Sequence, residues 1–359
     1  MKITNLSAKT ITLPLKQPFK IALGTDYEYV GVIVKIDTDR DIFGLGEASP
    51  AARITGETIG TVIDIIETRI KPFVLDKNPL EIEKIMDEIN SNISFHPSAK
   101  CAVDIALYDI LGKYTKLPLR ELLGGFKDEI DTSITIGIKS IKETVEEAHQ
   151  LTEEGAKVIK VKIGLDPSED VAKIKAIRDE IGYNVRIRVD ANQGYTLRDA
   201  VDVLNQIDQY EVEFVEQPLP YWDITGARRL RNKVNIPIMA DESLHSIHDA
   251  IRLIKEEACD MFNIKLMKSG GIREALKIAS IGEGAGIPCM LGCMTETRIG
   301  IGAATHLALG MKNIKYADLD GHILLKEDVV DGGVITQNGV NQVTDTPGIG
   351  IQLTSPVFD

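Results

Sequence analysis

VIKVK at residues 158–162, VRIRVDAN at 185–192, EFVEQP at 213–218, IPIMADE at 236–242 and MFNIKLMKSGG at 261–271 belong to one length of chain. In it a short β-rich run recurs and each time ends on charge. The intervals are about 25 residues, the length of one strand-plus-helix unit. Reading outward, Ser133–Ile138 comes before this length, and Pro288–Leu291 and Ile314–Ala317 follow it, which makes eight runs. Amphipathic helical segments lie between them, so the sheet should be parallel. Eight units favour a closed barrel over an open doubly wound sheet, whose phosphate-binding glycine loop is missing. GLGEAS at 44–49 has neither a third glycine nor a following helix.

Upstream of the barrel, Ile3–Leu13, Tyr29–Ile36 and Gly44–Ala48 read as three strands, with turn residues such as Asp37 and Asp41 between the last two. Helical spacing then appears in Val62, Ile63, Ile66 and Ile70, and again in Ala102, Val103, Ala106, Leu107, Ile110 and Leu111. These elements predict an α+β domain over residues 1–125, ending at Gly124 and Gly125, followed by a barrel over 126–320. Past Asp320 the chain is rich in glycine (Gly332, Gly333, Gly339, Gly348, Gly350), and segment 321–359 is expected to pack back on the first domain.

The 359 residues are 43% hydrophobic and 26% charged, which suits a globular protein with a core that needs no staples. A net charge of −13 without a basic run disfavours nucleic acid and anionic lipid, and leaves small-molecule chemistry. Cys101, Cys259, Cys289 and Cys293 lie among apolar residues; the last two are too far apart for CxxC, so buried thiols in a reducing compartment are expected. Met1–Leu13 alternates like a strand rather than a secretory leader, and no run is long enough to span a membrane. A cytoplasmic enzyme is expected. Barrels of this kind often assemble, which leaves a homo-oligomer open, although the sequence carries no interface signature.

Barrel active sites are built where the strands end. In Lys160-Val161-Lys162 alternation puts both ammonium groups on one side, where two cations should depress each other's pKa and leave one amine able to act as a base. Asp190, Glu216 and Asp241 end the next three strands; separately each resembles a helix cap, but together they form a hard-oxygen set for Mg²⁺, with Mn²⁺ as a substitute. Lys265 ends strand six, across an eight-stranded barrel from Lys162, and Lys268 one turn on takes a supporting role. One base on each face allows a proton to be removed from one side and returned on the other, inverting a stereocentre through a metal-stabilised enediolate. Asp318 and Asp320 share a side at the end of strand eight and either hold an ammonium group or form a turn before Gly321.

The ordered set KxK, DAN, EQP, DES, NIKLMKSGG and DLD resembles the muconate-lactonising subgroup of the enolase superfamily, in which lysine or histidine bases work with magnesium. The likeness extends to Gly46–Pro50, Ser98–Lys100 and Leu122–Gly125, and within the subgroup the chain is most similar to dipeptide epimerases. This resemblance implies a modified TIM barrel, (β/α)7β, with an α+β capping domain. It implies Asp190, Glu216 and Asp241 as magnesium ligands, Lys162 and Lys265 as the two bases, and Lys160 tuning Lys162 and steadying the enolate. Asp318 and Asp320 would take the substrate α-ammonium; Thr135, Met294, Thr297, Gly24 and Asp26, with Ile54 and Thr55, would shape the pocket; Asn192, Glu242 and Lys268 would stand behind.

The implied substrate is an L-Ala-L-Xaa dipeptide, L-Ala-D/L-Glu foremost, with hydrophobic or basic Xaa open. One departure bears on this: glutamate-selective members often carry an arginine where this chain has Gly24, and Asp26 and Glu28 add negative charge unless Lys20 or Arg298 compensates. Rival readings are a muconate cycloisomerase, an o-succinylbenzoate synthase, an N-acylamino acid racemase, or a barrel that binds without catalysis. Their substrates bring no free ammonium for Asp318 and Asp320. A histidine-based enzyme is disfavoured because none of His96, His149, His245, His248, His306 and His322 ends strand six or seven. His322 is expected at the surface.

Overall fold

Apolar alternation from Ile3 carries the first strand past its expected end at Leu13. In the computed structural model, which describes residues 1–358, it runs Ile3–Ile21 and pairs antiparallel with Gly24–Thr38, which pairs with Phe43–Ala48. The register breaks between Pro14 and Phe19, where Pro14 and Pro18 have no N–H to donate. The hairpin then resumes to a tip at Ile21 and Gly24.

Helix Pro97–Thr115 lies on this sheet, buried along most of its length. Gly44 and Gly46 allow that approach: a Cβ at Gly44 would stand 2.0 Å from the carbonyl oxygen of Ala106, and one at Gly46 1.8 Å from that of Ala102. The glycines of GLGEAS therefore serve sheet-on-helix packing.

The eight expected runs form one parallel sheet in chain order: Ile134–Ile136, Val158–Lys162, Arg186–Asp190, Val212–Glu216, Ile238–Ala240, Met261–Lys265, Cys289–Gly292 and Ile314–Asp318. We number these barrel strands one to eight. A parallel bridge between Thr132 and Ala317, with the Ser133 N–H donating to the Ala317 carbonyl at 3.1 Å, brings the first strand against the last. Ser140, Asp166, Thr196, Asp223, Ser246 and Thr297 cap helices between strands with side-chain oxygens, so the strand-end carboxylates are free of that task.

Period-two alternation sorts the strand residues into layers. Phe214, Met239, Met261 and Met290, with Tyr316 against them, form an apolar floor. The Arg188 guanidinium lies 5.0 Å from the Phe214 ring and 5.3 Å from that of Tyr316. Two residues further along, strands four, five, six and eight deliver Glu216, Asp241, Asn263 and Asp318.

The tail is bound on several sides. Val334–Gln337 and Val340–Val343 form a hairpin that pairs with Glu129–Asp131, and Val330–Gly332 pairs with Ile351–Leu353. The Lys326 N–H donates to the Pro14 carbonyl at 3.0 Å, and the Ile349 N–H donates to Asp109 Oδ1 at 3.0 Å, while His306 Nε2 meets the Ile349 carbonyl at 3.1 Å. All four cysteines are free thiols, three of them buried, with Cys293 partly exposed. Among the described residues no helix is long and apolar enough to cross a membrane.

Candidate active site

Strand register places Lys162, Asp190 and Glu216 side by side on strands two, three and four, and Asp241 follows strand five directly. Lys162 Nζ donates to Asp190 Oδ2 at 2.6 Å and to Asn192 Oδ1 at 3.0 Å. Lys160 Nζ donates to Glu216 Oε2 at 2.8 Å and Asp318 Oδ2 at 2.7 Å, and lies 3.0 Å from Asp190 Oδ2. On the far wall Lys265 Nζ donates to Asp241 Oδ2 at 2.7 Å. Lys268 donates to the Asp241 carboxylate and carbonyl, so it holds Asp241 in place. Asn192 Nδ2 donates to Glu242 Oε1 at 3.2 Å, joining strands three and five behind the lysine.

Strand eight is linked to strand one. Asp318 Oδ1 accepts from Ser133 Oγ at 2.6 Å, and Asp320 Oδ2 accepts the Thr135 N–H at 2.7 Å. Thr135 also sets its hydroxyl 3.4 Å from Asp318 Oδ1. Asp318 is thus occupied by the chain's own Lys160 ammonium, whereas Asp320 has no ion pair among the described residues.

The sequence reading missed Asn263, whose Nδ2 donates to Glu216 Oε1 at 2.9 Å. Its signal was the alternation Asn263-x-Lys265. Gly292 on the next strand leaves room for it: a Cβ there would stand 2.5 Å from Asn263 Oδ1.

Several expectations need correction. At Lys160 the surrounding carboxylates, rather than the neighbouring lysine, decide the charge. Burial disfavours the Lys160 ammonium, yet Asp190, Asp318 and Glu216 outweigh it and hold its pKa well above the ordinary lysine value. Lys265 is likewise raised, burial being outweighed by Asp241 and Glu216. Thr297 is committed elsewhere: its hydroxyl donates to Glu47 Oε2 at 2.7 Å, its N–H to Glu47 Oε1 at 2.8 Å, and it is fully buried as a helix cap. His322 is buried against Thr336 rather than at the surface. Arg298 sends Nη1 to the Val334 carbonyl at 2.8 Å, into the tail.

The cluster is short of positive charge. Asp190, Glu216, Asp241, Glu242, Asp318 and Asp320 face Lys160, Lys162, Lys265 and Lys268, six carboxylates against four ammonium groups, all buried. Burial, then Asp190, pushes Glu216 up to about 8; burial, then Asp241, pushes Glu242 up to about 7. Burial, then Asp318, pushes Asp320 up to about 6. Among the described residues no three His, Cys, Asp or Glu side chains are drawn together as a metal centre; the lysines hold the carboxylates instead.

Two capping segments reach the rim. The hairpin tip with Gly24 and exposed Asp26 sits on strand one, where the Ile138 N–H donates to the Lys20 carbonyl at 2.7 Å. The loop after Ala48 is tied by Ser49 Oγ to the Thr295 carbonyl at 2.8 Å. Met294, partly exposed, lies in that same strand-seven loop. A cleft of about 1180 Å³, lined by Arg53, Thr55, Trp222 and Ser246 among others, opens beside the cluster and meets it at Glu242 and Lys268.

A parallel barrel under an α+β cap, with its charges gathered at the strand ends, is the architecture of a barrel enzyme. A model described as "Mandelate racemase / muconate lactonizing enzyme, N-terminal domain" matches residues 5–124, and one described as "Enolase C-terminal domain-like" matches residues 143–357, taking in the tail with the barrel. The chain belongs to the mandelate racemase/muconate lactonizing enzyme family of the enolase superfamily. It is 41% identical to a hydrophobic dipeptide epimerase of Enterococcus faecalis, over 98% of this chain and 99% of that protein. It is 40% identical to an L-Ala-D/L-Glu epimerase of Clostridium acetobutylicum, again over 98% and 99%. A crystal structure of dipeptide epimerase from Enterococcus faecalis complexed with Mg and the dipeptide L-Leu-L-Tyr superposes with a TM-score of 0.96, at 41% identity, over 98% of this chain and 100% of that one.

Proposed function

We propose that the chain is a magnesium-dependent dipeptide epimerase that inverts the α-carbon of the C-terminal residue of an L-Ala-L-Xaa dipeptide. The observation that carries this is the placement of Lys162 and Lys265 on strands two and six, opposite walls of an eight-stranded barrel, each on a carboxylate. A neutral Nζ on one wall takes the α-proton as the C–H bond breaks. The ammonium on the other wall returns a proton to the opposite face. Lys160, held by Glu216 and Asp318, adds fixed positive charge below the reacting carboxylate.

The donor chemistry fits magnesium. Asp190, Glu216 and Asp241 supply hard oxygens, the cluster has two more carboxylates than lysines, and Glu242 Oε2 and Asn263 Oδ1 are buried without a partner. Those three carboxylates would hold the ion, and when bound it would supply charge that makes the substrate α-proton more acidic. Asp320, buried and without a cation among the described residues, would receive the substrate ammonium beside Asp318, which weighs against substrates lacking one. The expected partner is the small dipeptide.

The test is a library of L-Ala-L-Xaa dipeptides in D₂O with magnesium. Exchange and inversion of the Xaa α-proton, lost on chelation, are expected. No exchange with any dipeptide, together with conversion of a muconate or succinylbenzoate precursor, would overturn the reading.

A further inference from the structure

We infer that Arg53 supplies the positive charge met by the side chain of the epimerised residue, so that the chain selects acidic second residues; this rests on the dipeptide epimerase reading above. Two capping segments are anchored on different parts of the rim. The hairpin tip is fixed at strand one through Ile138 and the Lys20 carbonyl, 2.7 Å apart. The loop after Ala48 is fixed over strands six and seven: Ser49 Oγ donates to the Thr295 carbonyl at 2.8 Å and the Ser49 N–H points to Met267 Sδ at 3.3 Å.

Arg53 crosses from the second segment to the first. A Cβ on Gly24 would lie 1.7 Å from Arg53 Nη1, 2.6 Å from Cζ and 2.8 Å from Nη2, so the whole guanidinium rests on the bare backbone of residue 24. Gly24, at φ +150, is what admits it. The guanidinium makes no ion pair or hydrogen bond among the described residues, and Arg53 is exposed at the edge of the 1180 Å³ cleft. Asp26 and Glu28 are exposed, and Arg298 is turned toward Val334.

Asp26 and Glu28 lie on the hairpin that carries Gly24, so a second carboxylate brought by the substrate meets negative charge at the rim unless a cation waits there. An unpaired guanidinium offers the fork geometry that binds a carboxylate through two parallel N–H donors. Arg53 lines the same cleft as Glu242 and Lys268, so the fork stands at the edge of the charged cluster.

The experiment compares kcat/KM for L-Ala-L-Glu, its isostere L-Ala-L-Gln and L-Ala-L-Lys in the full-length protein with magnesium. The wild type should favour Glu over Gln by roughly tenfold or more, the range of one charge-assisted contact. Arg53→Gln should bring that ratio close to one, and Arg53→Lys should keep part of it. Gly24→Ala, whose methyl would meet the Arg53 guanidinium and strain the backbone at φ +150, should lower the ratio as well. A wild type that prefers Gln or Lys, or a Glu preference that survives Arg53→Gln, overturns the inference. Epimerisation of neutral dipeptides without acidic preference overturns this inference alone, whereas no epimerisation of any dipeptide overturns the reading beneath it.

Discussion

Lys162 and Lys265 are 7% and 4% exposed, and each ammonium is held by one carboxylate at 2.6 and 2.7 Å. Each therefore has a fixed direction, and the two functions are separable. Lys162→Ala and Lys265→Ala should each lower epimerisation by about a hundredfold or more. One variant should still exchange the α-proton of the L,L dipeptide and the other that of the L,D product, read by mass spectrometry after incubation in D₂O. Asp320→Asn should raise KM for free dipeptides by roughly tenfold, the cost of losing a charged partner, and change turnover of N-acylated analogues far less, which steady-state kinetics on both substrates would show. These placements were legible because strand alternation fixes the direction of a side chain. Arg53 was not, since only the contact between two loops distant in sequence brings it over Gly24.

The barrel strands were legible for a related reason: six of the eight apolar runs end in charge, and the observed barrel strands start within two residues of the expected positions. Glycine and proline hid the rest. The first hairpin resumes beyond Pro14 and Pro18, where local pattern alone predicts a stop. Segment Ile65–Ile70 winds as a π-helix inside what reads as ordinary helical spacing. The loop after strand seven holds a device that no motif announced. Glu47, on the third capping strand, accepts from Tyr29, Thr297 and Gly300 at the start of helix Arg298–Gly310, and buried Glu296 lies beside it. Burial, then the Glu47 charge, pushes Glu296 up to about 8. A carboxyl raised in the folded state holds a proton that the unfolded chain has released, so its stabilisation is full below the unfolded pKa and fades as pH rises through the folded value. Thermal midpoints should therefore fall between about pH 5 and pH 8, and Glu296→Gln should flatten that slope.

At the scale of the whole molecule, charge balance in the cluster and the contacts of the tail hold the parts together. Magnesium should raise the thermal midpoint in a concentration-dependent way, since an ion that binds only the folded chain stabilises it by mass action and would here relieve a cluster with an excess of carboxylates. Calorimetry with and without chelator would check it. Removing residues 321–359 should prevent both domains from folding rather than detach a flexible end, because Ile349 bonds to Asp109 of the capping helix and faces His306 of the last barrel helix; soluble yield and circular dichroism would show the loss. The same contact sets an order in time. Asp109 is made before any barrel strand and Ile349 only after the last of them, so the whole barrel has been synthesised before that carboxylate finds its partner. Until then the nascent cap stays incomplete, exposed to chaperones and proteases, and a premature stop codon ahead of Ile349 would cost the cell the entire protein.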